Sequence, residues 1–428
     1  MDTKSYWNEK LETMPLPELK DWQFSQLVKH LNYVYNHSPY YRRVMDQAKM
    51  EPSKISSMES YFEKMPFIKK GDIIENQQEY PPFGDIIGVD PKELIRIFCA
   101  PGPETIYFTK EDFDYVIDLG ARTFFTNGAR PEDIVNVTCT YHWVIAGTLQ
   151  DACFQKIGCS VVPGGAGMSE LHIDYMKLLK ASVMFIFPTF AEQLGKAAKE
   201  KGIDPAKDLS VRLAIIAGEI RSEGMRKGLE ETFGMETREL YGAAEVPFVA
   251  AECPEGGGMH LEPRFIVEVL DPETGDPVEP GTQGELVVTD FGKKAQPILR
   301  YRTGDITEGL NIEPCACGRT TPRIGRILGR VSDIPRIKGM FVVPRQIREV
   351  IERYPDQLGN FQMIIDRPGT SDILTIKIEC KENVDKASLK NRLIKEFKDH
   401  IRILVEIEFV NEGALTEEST LIVDNRKV

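Results

Sequence analysis

Three short, almost wholly apolar runs limit what this chain can fold into: residues 134–139, 183–187 and 213–217. Each has only five or six residues, too few for a buried helix, and Val, Ile and Phe recur in them as in strands buried on both faces. The stretches between them, such as residues 190–201, carry helix-forming residues. Strands that alternate with helices pair in parallel, because each return to the sheet needs a crossover. The pattern predicts an α/β fold with layered sheets.

The flanks read differently. Phe24, Leu27, Leu31, Val34 and Tyr35 recur at three- and four-residue steps, so residues 1–50 are predicted to be helical, with a break at His37-Ser38-Pro39. Residues 265–270 and 284–289, with the turn-rich Asp271-Pro272-Glu273-Thr274-Gly275 after the first of them, predict a β-rich subdomain. Past residue 330 come strands at 361–365 and 374–380 around Pro368-Gly369, an amphipathic helix at 386–400 and a strand at 405–410. The expected division is a large domain, 1–330, and a small, mobile α+β domain, 331–428.

A chain of 428 residues with 42% hydrophobic content can bury cores of this size. Its formal net charge of −13 opposes general attraction to nucleic acid or anionic membranes, although a local arginine cluster can still hold a small anion. No apolar run approaches the ~20 residues of a membrane span. Met1-Asp2-Thr3-Lys4 opens no signal-peptide core, so the expected setting is cytoplasmic. Cys99, Cys139, Cys153 and Cys159 lie in or beside apolar segments and read as small hydrophobes rather than a disulfide framework.

Three short motifs then follow one another: Tyr241-Gly242-Ala243-Ala244-Glu245, Tyr301-Arg302-Thr303-Gly304-Asp305 and Gly329-Arg330-Val331-Ser332-Asp333. Any one could arise by chance, but the ordered set is specific. With Gly218-Glu219, with residues 16–43 and 65–72 and with Tyr80-Pro81-Pro82-Phe83-Gly84, the chain resembles the phenylacetate–coenzyme A ligase family of adenylate-forming enzymes over nearly its whole length.

That resemblance implies ATP-dependent activation of an aryl or arylacetic acid to its acyl adenylate, then capture by coenzyme A, in a homodimer. It places Tyr241 against adenine or the substrate carboxylate and lets the small residues Gly242, Ala243 and Ala244 admit the nucleotide beside Gly218 and Glu219. Glu245 is implied as a ligand of Mg²⁺, a hard cation that prefers carboxylate oxygen. Asp305 can accept from two ribose hydroxyls, and Arg326 or Arg330 can fork onto phosphate. Ser332 and Asp333 fall where the two domains pivot, with Lys338-Gly339 just beyond. Taken singly, Glu245 also suits a solvated glutamate in a strand-end turn, and the Arg and Asp residues a surface pair.

Cys253, His260, Cys315 and Cys317 form a second constellation, three thiols and an imidazole that match a closed tetrahedral zinc site. Cys315-Ala316-Cys317 lacks the usual two-residue gap, so buried or free thiols remain the other reading. Tyr141-His142-Trp143 and Phe124-Phe125 offer aromatic surface for an acid pocket, or simply core; His142 reads as a hydrogen-bonded pocket or core residue.

Two stretches depart from the family. The phosphate loop, rich in Ser, Thr and Gly elsewhere, here reads Cys99-Ala100-Pro101-Gly102-Pro103-Glu104-Thr105, with two residues that lack amide donors and one that adds negative charge. Residues 415–421, where a catalytic lysine is implied, contain none. Losing two such donors costs on the order of 6–8 kcal/mol if additive. Either other cations compensate, with Arg300, Arg302 and Lys338 as candidates, or the chain binds an adenylate or coenzyme A and performs only the transfer half-reaction, or none.

Overall fold

The computed structural model describes residues 5–100, 103–219, 223–338, 340–368, 371–382, 384–415 and 421–427. The chain divides into two compact units, 1–219 with 228–327, and 220–227 with 328–428.

In the first unit the apolar runs become strands Ile134–Val137, Val183–Ile186 and Leu213–Ile216, every one of them buried along almost its whole length. They pair in parallel with each other, with Ser160–Val162 and with Glu236–Tyr241. The helices that return the chain, Ala146–Ile157, Ser169–Leu179 and Pro188–Glu200, follow the predicted alternation. Beyond Tyr241 the sheet turns antiparallel through Ala250–Glu252, Met259–Leu261, Arg323–Ile324 and Leu310–Asn311. The cysteine-bearing loops hang from this antiparallel end.

A second sheet carries Asp305. Strand Ile298–Thr307 pairs antiparallel with Gly284–Asp290, which pairs antiparallel with Phe265–Leu270, the predicted β-rich element. On its other side it pairs in parallel with the two-residue strand Ile68–Lys69, Ile68 opposite Tyr301. Helix Leu16–His37 buries Leu27, Leu31 and Val34, while Phe24 and Tyr35 pack only partly against the core. The break falls at Ser38, whose hydroxyl caps the helix Pro39–Gln47.

Strands Leu94–Ala100 and Glu104–Thr109 form a hairpin in which Ala100 pairs with Glu104. Only residues 101–103 close it, and Pro101 and Gly102 lie outside the described residues. Gln77 clamps the hairpin to helix Lys70–Glu79: its amide nitrogen donates to Thr105 O at 2.7 Å and its amide oxygen accepts from Thr105 N at 2.8 Å.

The second unit holds a four-stranded sheet ordered Glu406–Val410, Ile373–Cys380, Leu358–Asp366, Ile422–Asp424. Helices Pro344–Ile351 and Lys386–Ile401 contribute Ile347, Val350, Leu389, Leu393 and Phe397 to its core. The helix 344–351 and the last strand were not legible in the sequence. Among the described residues no helix is long and apolar enough to cross a membrane.

Candidate active site

Strands Leu213–Ile216 and Glu236–Tyr241 run in parallel, so the segments after them, with Gly218-Glu219 and with Gly242 to Glu245, emerge at the same edge of the sheet. Ligands in α/β sheets bind at such carboxyl ends. The Tyr241 hydroxyl donates to Asp305 Oδ2 at 2.8 Å, which joins the first motif to the second sheet. Reciprocal bonds between Ala243 and Val246, 3.0 and 3.1 Å, fold the motif into a tight turn. That turn carries the Glu245 carboxylate inward, where it is buried.

Glu245 is not alone. Lys70 Nζ lies 3.1 Å from Glu245 Oε1 and 2.9 Å from Glu104 Oε2, so one ammonium bridges two buried carboxyls while 37% of its own side chain stays exposed. Burial, and then the charge of Glu245, pushes Glu104 up to about 7, against the pull of Lys70. Burial also acts to raise Glu245, but the Lys70 ammonium and a backbone N–H hold it below the usual carboxylate range. Burial, followed by these carboxyls, pushes the Tyr301 phenol upward. Beneath the turn, Lys293 is wholly buried and donates from Nζ to Glu245 O at 2.6 Å; burial lowers it.

Two expectations need correction here. Glu104 does not present a bare negative charge to a phosphate site, because its carboxyl folds inward and meets Lys70. Arg300 and Arg302 are not spare cations: Arg300 binds Glu268 and the carbonyls of Phe62 and Met65, and Arg302 binds Glu285 and Pro272 O. Both serve the second sheet.

The remaining motif residues fall as follows. Glu219 accepts from Thr189 N and Oγ1 at 3.0 and 2.8 Å, and so caps helix Pro188–Glu200. Gly218 adopts φ +79°, and a Cβ there would lie 2.2 Å from Phe187 Cε1. Arg326 forks onto Glu308, with Nη2 2.6 Å from Oε1. Arg330 and Lys338 belong to the second unit; there the Lys338 amide donates to Asp372 at 3.2 Å, while Gly339 lies outside the described residues. Residues 416–420, within the segment where the lysine is missing, also lie outside them.

The proposed aromatic pocket separates. Phe124 is core, stacked on Phe154 at 4.1 Å, and Phe125 is buried beneath the Arg130 guanidinium. Trp143 and His142 are exposed in a loop, so His142 is not the sheltered residue its apolar neighbours suggest.

The cysteine–histidine constellation does assemble. The ligating atoms of Cys253, His260, Cys315 and Cys317 lie within 4.8 Å of one another, with Sγ–Sγ 3.7 Å between Cys253 and Cys315 and 3.3 Å from Cys317 Sγ to His260 Nε2. Tetrahedral zinc at ordinary bond lengths separates such atoms by about 3.5–3.8 Å. His260 Nδ1 lies 3.1 Å from Thr321 O, which turns Nε2 toward the thiols as an outer-shell partner should. The residues fit zinc. A pair of buried carboxyls likewise offers the oxygen donors that Mg²⁺ takes.

Sequence reading missed Lys70 and Lys293. Lys70 left one signal: it is the first residue of helix Lys70–Glu79, where the helix dipole disfavours a cation unless a carboxylate answers it. Lys293 left none, since nothing local marks a lysine for complete burial.

Known proteins resemble this chain over most of its length. The profile of the AMP-binding enzymes matches residues 117–292, and that of the AMP-binding enzyme C-terminal domain matches residues 339–426. These matches, with the fold, define an adenylate-forming enzyme. Phenylacetate-coenzyme A ligase of Thermus thermophilus is 31% identical over 95% of this chain and 96% of its own length. The Escherichia coli enzyme of the same name is 28% identical over 95% and 94%. The chain belongs to the phenylacetate–coenzyme A ligase family. Among solved structures, 2-hydroxyisobutyryl-CoA ligase in the postadenylation state with 2-HIB-AMP superposes with a TM-score of 0.82 at 25% identity, covering 100% of this chain and 94% of that one.

Proposed function

We propose that this protein uses ATP to convert an aryl or arylacetic acid into its acyl adenylate and then passes the acyl group to the thiol of coenzyme A. The Tyr241–Asp305 hydrogen bond of 2.8 Å carries the reading, because it sets a ring and a two-acceptor carboxylate at the carboxyl edge of a parallel sheet. Asp305 would accept from the ribose hydroxyls, and Tyr241 would flank adenine. Gly242, Ala243 and Ala244 would let the nucleotide approach the main chain, beside Gly218 and Glu219. Arg326 and Arg330 would meet phosphate, Arg326 by releasing Glu308.

In the first step a carboxylate oxygen bonds to the α-phosphorus and pyrophosphate leaves with the electron pair. In the second the thiol sulfur bonds to the acyl carbon, AMP leaves, and the thiol proton is released. Positioning and charge neutralisation dominate both barriers. Glu245 would hold Mg²⁺, which supplies charge neutralisation at the phosphates. Zinc on Cys253, His260, Cys315 and Cys317 would have a structural role, since four protein ligands leave no position for water. A cytoplasmic homodimer, and a small domain 331–428 that pivots at Ser332 and Asp333, belong to the same reading on the strength of the family.

Purified protein incubated with ATP, Mg²⁺, coenzyme A and a panel of acids should yield AMP and an acyl thioester by mass spectrometry. Absence of both across aryl, arylacetic and short hydroxy acids would refute the reading. The three-residue closure between Ala100 and Glu104 favours a second one, in which the chain performs only the transfer half-reaction. A supplied acyl adenylate would then give thioester and AMP while ATP gives neither.

A further inference from the structure

We propose that Lys70 is a catalytic residue, whose ammonium contacts the phosphates of ATP while the adenylate forms. This role rests on the ligase reading above and adds a cation to those proposed for its first step.

Four observations converge on it. The hairpin that replaces the phosphate loop pairs Ala100 with Glu104, and two of its three closing residues are prolines without amide donors. Residues 415–421 contain no lysine. Arg300 and Arg302 are forked onto the buried Glu268 and Glu285. Lys293, the other ammonium at the Glu245 turn, is wholly buried with its Nζ on a main-chain carbonyl, so it cannot reach a ligand.

Lys70 is ion-paired too, but its side chain is more open than those of Arg300 and Arg302, 37% against 7% and 16%. Its ammonium lies between Glu104 and Glu245 at the motif turn, and a third of the side chain is open to solvent. Its backbone is fixed from two directions. The preceding strand Ile68–Lys69 pairs in parallel with the strand that carries Asp305, and Gln77 of the same helix clamps Thr105 next to Glu104. The four-carbon stem is free to move the charge a few ångströms from a carboxylate to a phosphate. A single ammonium facing two carboxyls at a helix N-terminus is pre-positioned rather than merely paired, as a preorganised cation must be. The proposed step moves no proton through Lys70: the oxygen–phosphorus bond forms, the bridge to the β-phosphate breaks, and the ammonium offsets charge on the leaving pyrophosphate.

The test compares wild type, Lys70→Met, Lys70→Arg and the double variant Lys70→Met/Glu104→Gln, which leaves one buried carboxyl rather than two at the site once the ammonium is gone. ATP–pyrophosphate exchange reads the first step, and thioester formation from a synthetic acyl adenylate reads the second. Exchange should fall ~10²–10³-fold in the Met variants and recover in part with Arg, while the second step stays within a few-fold of wild type. Unchanged exchange in the double variant, or equal loss of both steps, overturns the role of Lys70. Absence of exchange in the wild type overturns the ligase reading with it, so the two failures are distinct.

Discussion

The phenol of Tyr241 and the carboxylate of Asp305 meet at 2.8 Å, one from the parallel sheet and one from the β-rich sheet. The contact fixes the separation of the two groups proposed to bound adenosine before a nucleotide arrives. It also means that Asp305 already has a donor, which ribose hydroxyls must share. Asp305→Asn exchanges one acceptor oxygen for a donor and should weaken AMP binding by about 1.5–3 kcal/mol, roughly 10- to 100-fold. Tyr241→Phe removes only the donor and should cost less, about 1 kcal/mol. Calorimetric titration with AMP gives both numbers; equal affinity in wild type and Asp305→Asn would remove the carboxylate from the site.

Zinc is the second testable claim. The loop holding Cys315 and Cys317 anchors the N-terminal segment: Tyr6 donates to Cys317 O at 2.9 Å, Arg319 pairs with Glu12 at 2.8 Å, and Thr320 donates to Met14 O at 2.6 Å. Metal on the four ligands would therefore hold residues 6–14 as well as the loop. Protein purified without added metal should contain about one zinc per chain by elemental analysis, and Cys317→Ser should lower both zinc content and Tm, the latter by more than about 5 °C. Metal-free protein with an unchanged melting curve would leave the cluster as four packed side chains.

How far the sequence reached depended on the range of the forces involved. The parallel strands were legible because burial on both faces writes an unbroken apolar run, as in Val183–Ile186. The cysteine–histidine cluster was legible as composition, though its closure needs Met259–Leu261 to pair with Arg323–Ile324, which no local pattern states. The Glu104–Lys70–Glu245 bridge joins residues 34 to 175 positions apart and rests on the short strand Ile68–Lys69, too brief to show periodicity. His142 misled for the opposite reason: apolar neighbours in sequence do not bury a residue in a loop that turns outward.

Acid should destabilise the first unit through His30. The imidazole is buried with no hydrogen-bond partner at Nε2 among the described residues, and burial, then the Lys294 and Lys293 charges, lowers it to about 3. In the unfolded chain it titrates near 6.5. Between those values the unfolded state binds the extra proton, so the contribution is complete above about pH 6.5 and is lost as pH falls toward 3. The loss should be roughly 2 kcal/mol by pH 5 and about 5 kcal/mol at the lower end. Urea unfolding at pH 7.5, 6 and 5 should give falling midpoints for wild type and a flatter series for His30→Leu. Parallel slopes for the two proteins would assign the acid sensitivity elsewhere.

Gly242 tests whether the Glu245 turn is as rigid as its bonds imply. A Cβ at this position would lie 2.0 Å from Pro247 O and 2.4 Å from the Pro247 carbonyl carbon. Both obstacles are main chain, so no rotamer change relieves them, and the reciprocal Ala243–Val246 bonds prevent the turn from opening alone. Any shift drags the Glu245 carbonyl away from Lys293 and its carboxylate away from Lys70. Gly242→Ala should therefore cost about 1–3 kcal/mol of stability as overpacking. It should also slow ATP–pyrophosphate exchange more than ~10²-fold, because an ångström of misplacement at a charge-stabilising group is enough to do so. Urea unfolding and the exchange assay separate the two effects. A variant that is destabilised yet exchanges at the wild-type rate would show that the turn tolerates movement, and with it that the placement of Glu245 is not what limits adenylate formation.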